Sequence, residues 1–284
     1  MHFPIRPTYH RNFYQGDCRS QIEEFLSAFV PPQPGAPPLV AAAVPHAGWR
    51  FSGAVAARTI KTLASRSQAR HVVLFGAVHR APIWASAVYS GGEWQTPLGP
   101  VPIDSQLAAE VLRDLEGLVE ENDAVHDSEH SLEVQLPFVH EFFPGVPVLP
   151  IMVPPDASPL ELGRRMAKLL RGRSGVVIAS TDLTHYGDVY GFTPAGRGER
   201  AHEWMRQNDR RILDLAARLE AEKISEEAAT SHNACGPGAL TAVVAFAREL
   251  GVRQGTVLEY TDSHEVYEKG EPFHMAVGYA GIVF

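Results

Sequence analysis

Cysteine is scarce in this chain, which has only two among its 284 residues, Cys18 and Cys235. Two cysteines cannot build the disulfide framework on which small secreted domains depend. A chain of this length can instead bury a large hydrophobic core without covalent cross-links. The cysteine content therefore favours a reducing compartment, and we expect a cytoplasmic protein.

Basic charge and long apolar runs are scarce as well. The formal net charge is -8, and lysine and arginine form no block along the chain, whereas a nucleic-acid binder needs a basic face for the phosphates. No apolar run reaches the roughly 18 residues that span a bilayer. Residues 1–17 also lack the apolar core of a signal peptide. We therefore expect neither a nucleic-acid partner nor a membrane segment.

Three apolar runs dominate what the chain does contain: LVAAAVPHAGW (39–49), HVVLFGAVHRAP (71–82) and GVVIASTDLTHYG (175–187). Each has the length of a strand and ends at a polar loop that carries a histidine. Near-continuous apolar strands are typical of a parallel sheet that is buried on both faces. The runs predict an α/β fold, a single domain over residues 1–284. Its centre would be a mixed, largely parallel β-sheet covered by helices on both faces.

Local signals predict further elements. Ser20 opens a capping box, SQIE, so a helix is expected to begin there. Pro137 predicts a kink or a break within a helical stretch, and Pro150 places its strand at an edge or a bulge. The proline-rich residues 31–38 predict a stiff connector. The C-terminal run FHMAVGYAGIVF (273–284) is long and apolar enough to lie inside the sheet.

The polar residues beyond the strand ends form the first candidate site, because ligands of α/β sheets bind there. His46 and His79 are each the first imidazole after a buried strand, which suits rigid ligation of a metal. His185 is a candidate general acid or base, and Asp182 is its candidate orienting partner. Cys235 precedes the predicted start of a helix, which would lower the pKa of its thiol and make it a better ligand or nucleophile.

Each candidate also has a structural interpretation. A single histidine or cysteine is more often part of the core or the surface, and Asp182 can simply cap the turn after its strand. Glu129, His130 and Glu133 can face the same crevice, although the two glutamates also fit a solvated helix face or partners of a helix dipole at its N-terminus. Three aromatic residues can line a pocket or pack in the core or rim: Trp49, Trp94 and Tyr186.

The order of motifs along the chain resembles one family. The matching motifs of the Memo family are PHAGW (45–49), GAVHRAP (76–82), DSEHSLEVQLPF (127–138), STDLTHYG (180–187) and HNACGPGAL (232–240). HRNFY (10–14) and MAVGYAGIVF (275–284) fit as well, so the resemblance spans nearly the whole chain. The Memo fold is similar to that of class III extradiol ring-cleaving dioxygenases, non-heme enzymes that bind Fe(II) through two histidines and a glutamate.

The resemblance also implies a set of ligands. It assigns the metal to His46, His79 and Cys235, and it places Asp182 and His185 beside them as the catalytic residues. Fe(II) is the expected cofactor, with copper or zinc as alternatives, because a thiolate is softer than the carboxylate that it replaces. Four residues are expected to line the pocket: Trp49, Glu129, His130 and Tyr186.

Three functions follow as hypotheses. The first is a dioxygenase-type oxidoreductase that acts with O2 on a small aromatic or enediol-like substrate. The second is a non-catalytic binding module whose pocket holds a peptide, a metabolite or a partner protein. The third is a zinc hydrolase that uses metal-bound water, although the sequence has no HExxH motif.

Overall fold

The computed structural model describes residues 5–14, 16–33, 35–80, 83–156 and 158–284. Pro34 of the predicted connector, Ala81 and Pro82 of the second apolar run, and residues 1–4 of the N-terminal segment lie outside the described residues. The described part of the connector contains neither helix nor strand, as predicted. No described helix is both long and apolar enough to cross a membrane.

The described residues form the following elements. The strands are β1 (Ile5–Arg6), β2 (Ala41–Val44), β3 (His71–Gly76), β4 (Ser86–Val88), β5 (Glu93–Thr96), β6 (Gly99–Pro102), β7 (Val119–Glu121), β8 (Val148–Met152), β9 (Gly175–Ser180), β10 (His185–Tyr186), β11 (Thr256–Asp262) and β12 (Ala276–Val283). The helices are α1 (Cys18–Phe25), α2 (Trp49–Ser65), α3 (Ser105–Asp114), α4 (His130–Glu133), α5 (Leu136–Phe142), α6 (Ser158–Leu170), α7 (Glu199–Ala217), α8 (Ala221–Ser231), α9 (Pro237–Glu249) and α10 (Ser263–Tyr267).

The three apolar runs contribute β2, β9 and β3, which lie side by side and parallel at the centre of the main sheet. The order across the sheet is β10-β12-β2-β9-β3-β8-β4-β7, with β11 paired to β12. The centre is parallel, whereas β12 runs antiparallel to β2 and β4 antiparallel to β8. The structure therefore confirms the predicted mixed sheet and the inner position of the C-terminal strand. β1, β5 and β6 form a separate small sheet.

Both faces of the main sheet are covered by helices. Along β2, Ala41 and Ala43 pack in one hydrophobic cluster, which draws side chains from α3, α6, α7, α8 and α9. Ala42 and Val44 pack in the other cluster, with side chains from α1, α2, α4 and α5. Successive side chains of a strand point to opposite faces, so an uninterrupted apolar run is the expected sequence for such a strand.

Two local predictions are wrong. Pro150 does not mark an edge, since β8 pairs with both β3 and β4. Pro150 lacks an N–H but still takes part in the sheet through its carbonyl, which accepts from the N–H of Tyr89 at 3.0 Å. Helix α1 begins before Ser20, and Asp17 caps it by accepting from the N–H of Arg19. The predicted break at Pro137 is confirmed, because the proline lies in the first turn of α5.

Candidate metal centre

The loops that follow the central strands converge on His46. The ligand atoms of His46, His79 and His130 lie within 4.8 Å of one another, and so do those of His46, Asp182 and Cys235. His46, His79 and Asp182 follow the carboxyl ends of β2, β3 and β9, which are neighbours in the sheet. The topology of a parallel sheet therefore collects side chains that are far apart in sequence.

The hydrogen bonds around His46 determine which ring nitrogen faces the cluster. The hydroxyl of Ser180 donates its proton to the carbonyl of Ser131 at 2.8 Å, so its oxygen can only accept from the imidazole. Nδ1 of His46 therefore carries the hydrogen and donates to Ser180 Oγ at 3.0 Å. Nε2 keeps its lone pair and faces the sulfur of Cys235 at 3.1 Å. The ring presents the nitrogen that a metal would need.

His79 is held in the same way by a carboxylate. Glu129 accepts from Nδ1 of His79 at 2.9 Å and from its backbone N–H at 3.0 Å, which leaves Nε2 free. Burial alone would raise the pKa of Glu129, but the hydrogen bond and the charge of His79 hold it below its usual range. Glu129 is 1% exposed, as is Glu133. The alternative of a solvated helix face is therefore wrong for both.

His130 is close to the other two histidines but differs from them in orientation. Its ring stacks on that of His79, with centroids 4.7 Å apart and planes at 25°. The ring of His46 is nearly perpendicular to both, at 87° to His79 and 90° to His130. By spacing alone, His79 and His130 belong to one group of potential ligands, and Asp182 and Cys235 belong to the other. His46 is the residue that the two groups share.

Cys235 reaches the cluster because the chain around it is packed tightly against the end of β9. Its N–H donates to the carbonyl of Asp182 at 3.1 Å, and the N–H of Asp182 donates to the Cys235 sulfur at 3.2 Å. A Cβ at Gly236 would lie 2.6 Å from the carbonyl oxygen of Ser180, so the close approach requires glycine. Helix α9 then begins at Pro237, as the sequence predicts.

The Asp182 carboxylate is buried at the base of the cluster. Its Oδ1 accepts from the backbone N–H groups of His46 at 2.7 Å and Ala47 at 3.3 Å, so Asp182 fastens the loop after β2. Nδ1 of His185 donates to the carbonyl of Leu183 at 3.1 Å instead. Asp182 therefore orients His46 in this structure, and a backbone carbonyl orients His185.

Burial governs the protonation of the metal-free cluster. Burial, followed by the charge of His79, holds the pKa of His46 well below its usual range. Burial also lowers the pKa of His130 to about 3, so both imidazoles are neutral at pH 7. Burial and then the carboxylate of Asp182 raise the pKa of the Cys235 thiol well above its usual value. The prediction that the helix start lowers the pKa of the Cys235 thiol is therefore wrong.

A cleft of about 510 Å³ opens beside the cluster. One wall is apolar, and the ring of Tyr190 there meets His185 edge to face, with centroids 5.2 Å apart. Tyr190 is 43% exposed, so this wall is accessible to a ligand. Residues from both the cluster and the apolar wall line the cleft: His79, Leu183, His185, Tyr190, Phe192 and Cys235.

The aromatic residues singled out from the sequence are packed in the interior. Trp49 is 2% exposed, stacks on Phe138 at 4.2 Å and donates its indole N–H to a backbone carbonyl. Tyr186 is fully buried in a third cluster with Phe273. Trp94 is also fully buried. The structure therefore places these rings in the core, whereas Tyr190, which the sequence analysis did not select, faces the cleft.

Comparisons with known proteins point to one family. The family model described as Memo-like protein matches residues 8–283. MEMO1 family proteins of Pyrococcus abyssi and Thermococcus kodakarensis are 38% and 36% identical over 259 residues, which cover 86% and 87%, respectively, of this chain and of the relative. The crystal structure of an uncharacterised protein from Escherichia coli K12 shares the fold, with a TM-score of 0.50 and 15% identity over 84% of this chain and 99% of that one. This chain belongs to the Memo-like protein family.

Proposed function

We propose that the cluster binds one divalent metal ion through His46, His79 and Cys235, and that the protein is an oxidoreductase acting with O2 on a small substrate. Fe(II) is the proposed ion, and copper or zinc are the alternatives for a site of two imidazoles and one thiolate. The substrate would enter through the cleft beside the cluster and contact its apolar wall.

One observation carries the proposal: both imidazoles are already oriented by partners on their remote nitrogens. Ser180 accepts from Nδ1 of His46, and Glu129 accepts from Nδ1 of His79. Metal-binding histidines almost always have such a partner, which fixes the tautomer and the direction of the ring. The sulfur of Cys235 lies 3.1 Å from Nε2 of His46. The donor set therefore fits a metal of borderline or soft character.

The residues around the ion would transfer protons, position a ligand loop and contact the substrate. When bound, the metal supplies Lewis acidity and one-electron chemistry toward O2. His185 donates Nδ1–H to Leu183, so its Nε2 has a free lone pair and can accept a proton. Asp182 holds the loop of His46 in place through two backbone N–H groups. Tyr190 and Phe192 provide an apolar surface for the body of the substrate.

Elemental analysis tests the metal site first. The protein is purified without chelator or oxygen, next to the His46→Ala and Cys235→Ala variants and two controls, His274→Ala and Cys18→Ala. We expect near-stoichiometric iron or copper in the native protein and both controls, and its loss in the two site variants with the fold intact. Absence of metal from the native protein after anaerobic reconstitution would refute the site. Absence of both O2 consumption and binding with catechols would exclude ring cleavage.

A second function, a non-catalytic binding module with or without a metal, is favoured by one feature. The polar groups of the pocket satisfy one another without an ion, since the Cys235 thiol can donate to Nε2 of His46 and accept from the N–H of Asp182. The pocket would then hold a peptide or a metabolite by hydrogen bonds. Retention of ligand binding in Cys235→Ala, together with no turnover by the native protein, would support this function over the oxidoreductase.

A further inference from the structure

Glu133 connects the N-terminal segment to the core. Its carboxylate is 1% exposed and lies more than 100 residues away in sequence from its partners. It accepts from the guanidinium of Arg6 at 2.8 Å, the N–H of His10 at 2.7 Å and the hydroxyl of Tyr14 at 2.6 Å. The N–H of Tyr9 adds a fourth contact at 3.2 Å. One carboxylate thus fixes both ends of residues 6–14.

The first residue of this segment is itself deeply buried. Arg6 is 3% exposed, and its guanidinium lies 4.1 Å from the centroid of the Trp94 ring. It also donates to the carbonyl of His126 at 2.8 Å. A buried guanidinium that is paired and hydrogen-bonded in this way cannot leave its site without exposing an unpaired charge. The path of the segment is therefore fixed by polar contacts in the interior.

That path brings Phe13 against His130, which lies beside the proposed metal ligands His46 and His79. The rings of Phe13 and His130 stack with centroids 4.4 Å apart and planes at 26°. His130 also stacks on His79, with centroids 4.7 Å apart. Phe13, His130 and His79 are therefore linked by two ring contacts, and His79 is the residue that Glu129 orients. Phe13 is therefore the outer end of a chain of contacts that leads to a proposed metal ligand.

We propose that Phe13 and Glu133 are positioning residues that help to set the orientation of the proposed metal ligand His79. Glu133 fastens the N-terminal segment, and Phe13 then presses on His130, which holds His79 in the orientation that metal binding requires. The inference rests on the proposed metal site for its consequence, but the positioning itself is a property of the metal-free protein. Stacked aromatic rings favour a defined separation and offset, so removing the outer ring frees His130 to turn.

The first experiment measures the ring positions without metal. Protein with 13C-labelled histidine is prepared as native, Phe13→Leu, Phe13→Tyr, Glu133→Gln and the control Phe142→Leu, and the His130 and His79 signals are assigned from His130→Gln and His79→Gln variants. Phe142 is a half-buried ring on α5 that stacks on Phe138. We expect the nuclear Overhauser contacts between the ring protons of His130 and His79 to weaken in Phe13→Leu and Glu133→Gln, because His130 is then free to turn. Phe13→Tyr and Phe142→Leu should keep the native contacts.

The second experiment measures the affinity for Co(II) alone in the same proteins. Loss of a partner behind a metal ligand typically lowers affinity by about 10–100-fold, and we expect about tenfold for Phe13→Leu, with recovery in Phe13→Tyr. Unchanged ring contacts between His130 and His79 in Phe13→Leu, or an equal change in Phe142→Leu, would overturn the proposal. Failure of native protein to bind Co(II) would instead refute the metal site, and the ring contacts measured without metal would still decide the positioning.

Discussion

The buried carboxylate of Asp209 gives a prediction whose size can be worked out from the structure. Asp209 lies on α7 and is fully buried. Its Oδ1 accepts from the N–H of Thr184 at 2.9 Å, and its Oδ2 accepts from the hydroxyl of Tyr260 at 2.8 Å. A Cβ at Gly278 would lie 2.0 Å from Oδ2, so β12 passes directly over the carboxylate. Burial raises the pKa of Asp209 to about 7.

The sign of the effect follows from the proton count of each state. Unfolded Asp209 ionises near its ordinary pKa of 3.8, whereas the folded residue keeps its proton up to about pH 7. Between these values the folded state binds more protons, so the free energy of unfolding falls as the pH rises. Three pKa units correspond to about 4 kcal/mol. The full destabilisation is present above pH 7, and none remains below pH 3.8.

The Asp209→Asn variant removes this titration and keeps most of the contacts. The amide oxygen can still accept from Thr184, and the amide nitrogen can donate to the oxygen of Tyr260. We expect the altered hydrogen bonds to lower the free energy of unfolding by about 1 kcal/mol, an effect seen alone below pH 3.8, where Asp209 is protonated in both states. Relative to native protein, the variant should gain about 3 kcal/mol in the free energy of unfolding between pH 5 and pH 8.5.

Urea unfolding followed by circular dichroism at several pH values measures this gain. Asp214→Asn is the matched control, because Asp214 lies on the same helix with its side chain 54% exposed. The control should parallel the native protein at every pH. If Asp209→Asn also paralleled the native protein, the carboxylate would not be protonated in the folded state. A 13C titration of the Asp209 carboxyl gives the same answer directly.

Three further predictions concern other buried positions. Glu129→Gln should weaken Co(II) binding by about 10–100-fold in a metal titration, because His79 loses its carboxylate partner. Burial lowers the pKa of His126 to about 3, so this residue costs stability as the pH falls below 6.5. Between pH 7 and pH 4.5 the free energy of unfolding should fall by about 3 kcal/mol less in His126→Gln than in the native protein, as measured by urea unfolding. Gly163→Ala should destabilise by roughly 1–3 kcal/mol, since its Cβ would lie 2.1 Å from the carbonyl oxygen of Ala242.

The glycine prediction has a control, and the His126 prediction has a contradicting result. Gly91→Ala adds a methyl at an ordinary 3.5 Å from Ser105 Oγ, and it should leave the free energy of unfolding unchanged within error. Equal effects of the two glycine variants would refute the packing argument. In His126→Gln the amide can still donate to the Ala87 carbonyl, which Nε2 contacts at 3.1 Å in the native protein. An unaltered pH dependence there would show that His126 is not neutral in the folded state.

The sheet and the convergence of its loops could be predicted because both depend on local patterns. Each central strand is an apolar run followed by a polar loop, and parallel neighbours place those loops at one edge. His46, His79 and Asp182 met in the cluster for this reason. The motif around Cys235 predicted the start of a helix because Pro237 follows shortly after it, and proline is favoured in the first turn of a helix.

The partners of buried charges could not be predicted, because they come from distant segments. Glu133 has the spacing of a helix-surface residue, and nothing next to it in sequence indicates that Arg6 and Tyr14 will bind it. Phe13 reaches His130 only because of those contacts. The prediction for Pro150 failed for a similar reason. The proline lacks an N–H, but its carbonyl still accepts from Tyr89 on the next strand, and the sequence does not show that pairing. Sequence patterns predict the local secondary structure of a segment, but they do not identify the distant segment that packs against it.

The thiol of Cys235 shows the same limit in its chemistry. The start of α9 is a local feature, and taken alone it predicts a stabilised thiolate. The folded chain adds burial and the Asp182 carboxylate, which together raise the pKa of the thiol well above its ordinary value. A neutral thiol donates to Nε2 of His46, whereas a metal ligand must be a thiolate. At the proposed metal site, binding of the ion and deprotonation of Cys235 would therefore be one event, because the charge of the ion would offset the burial of the thiolate.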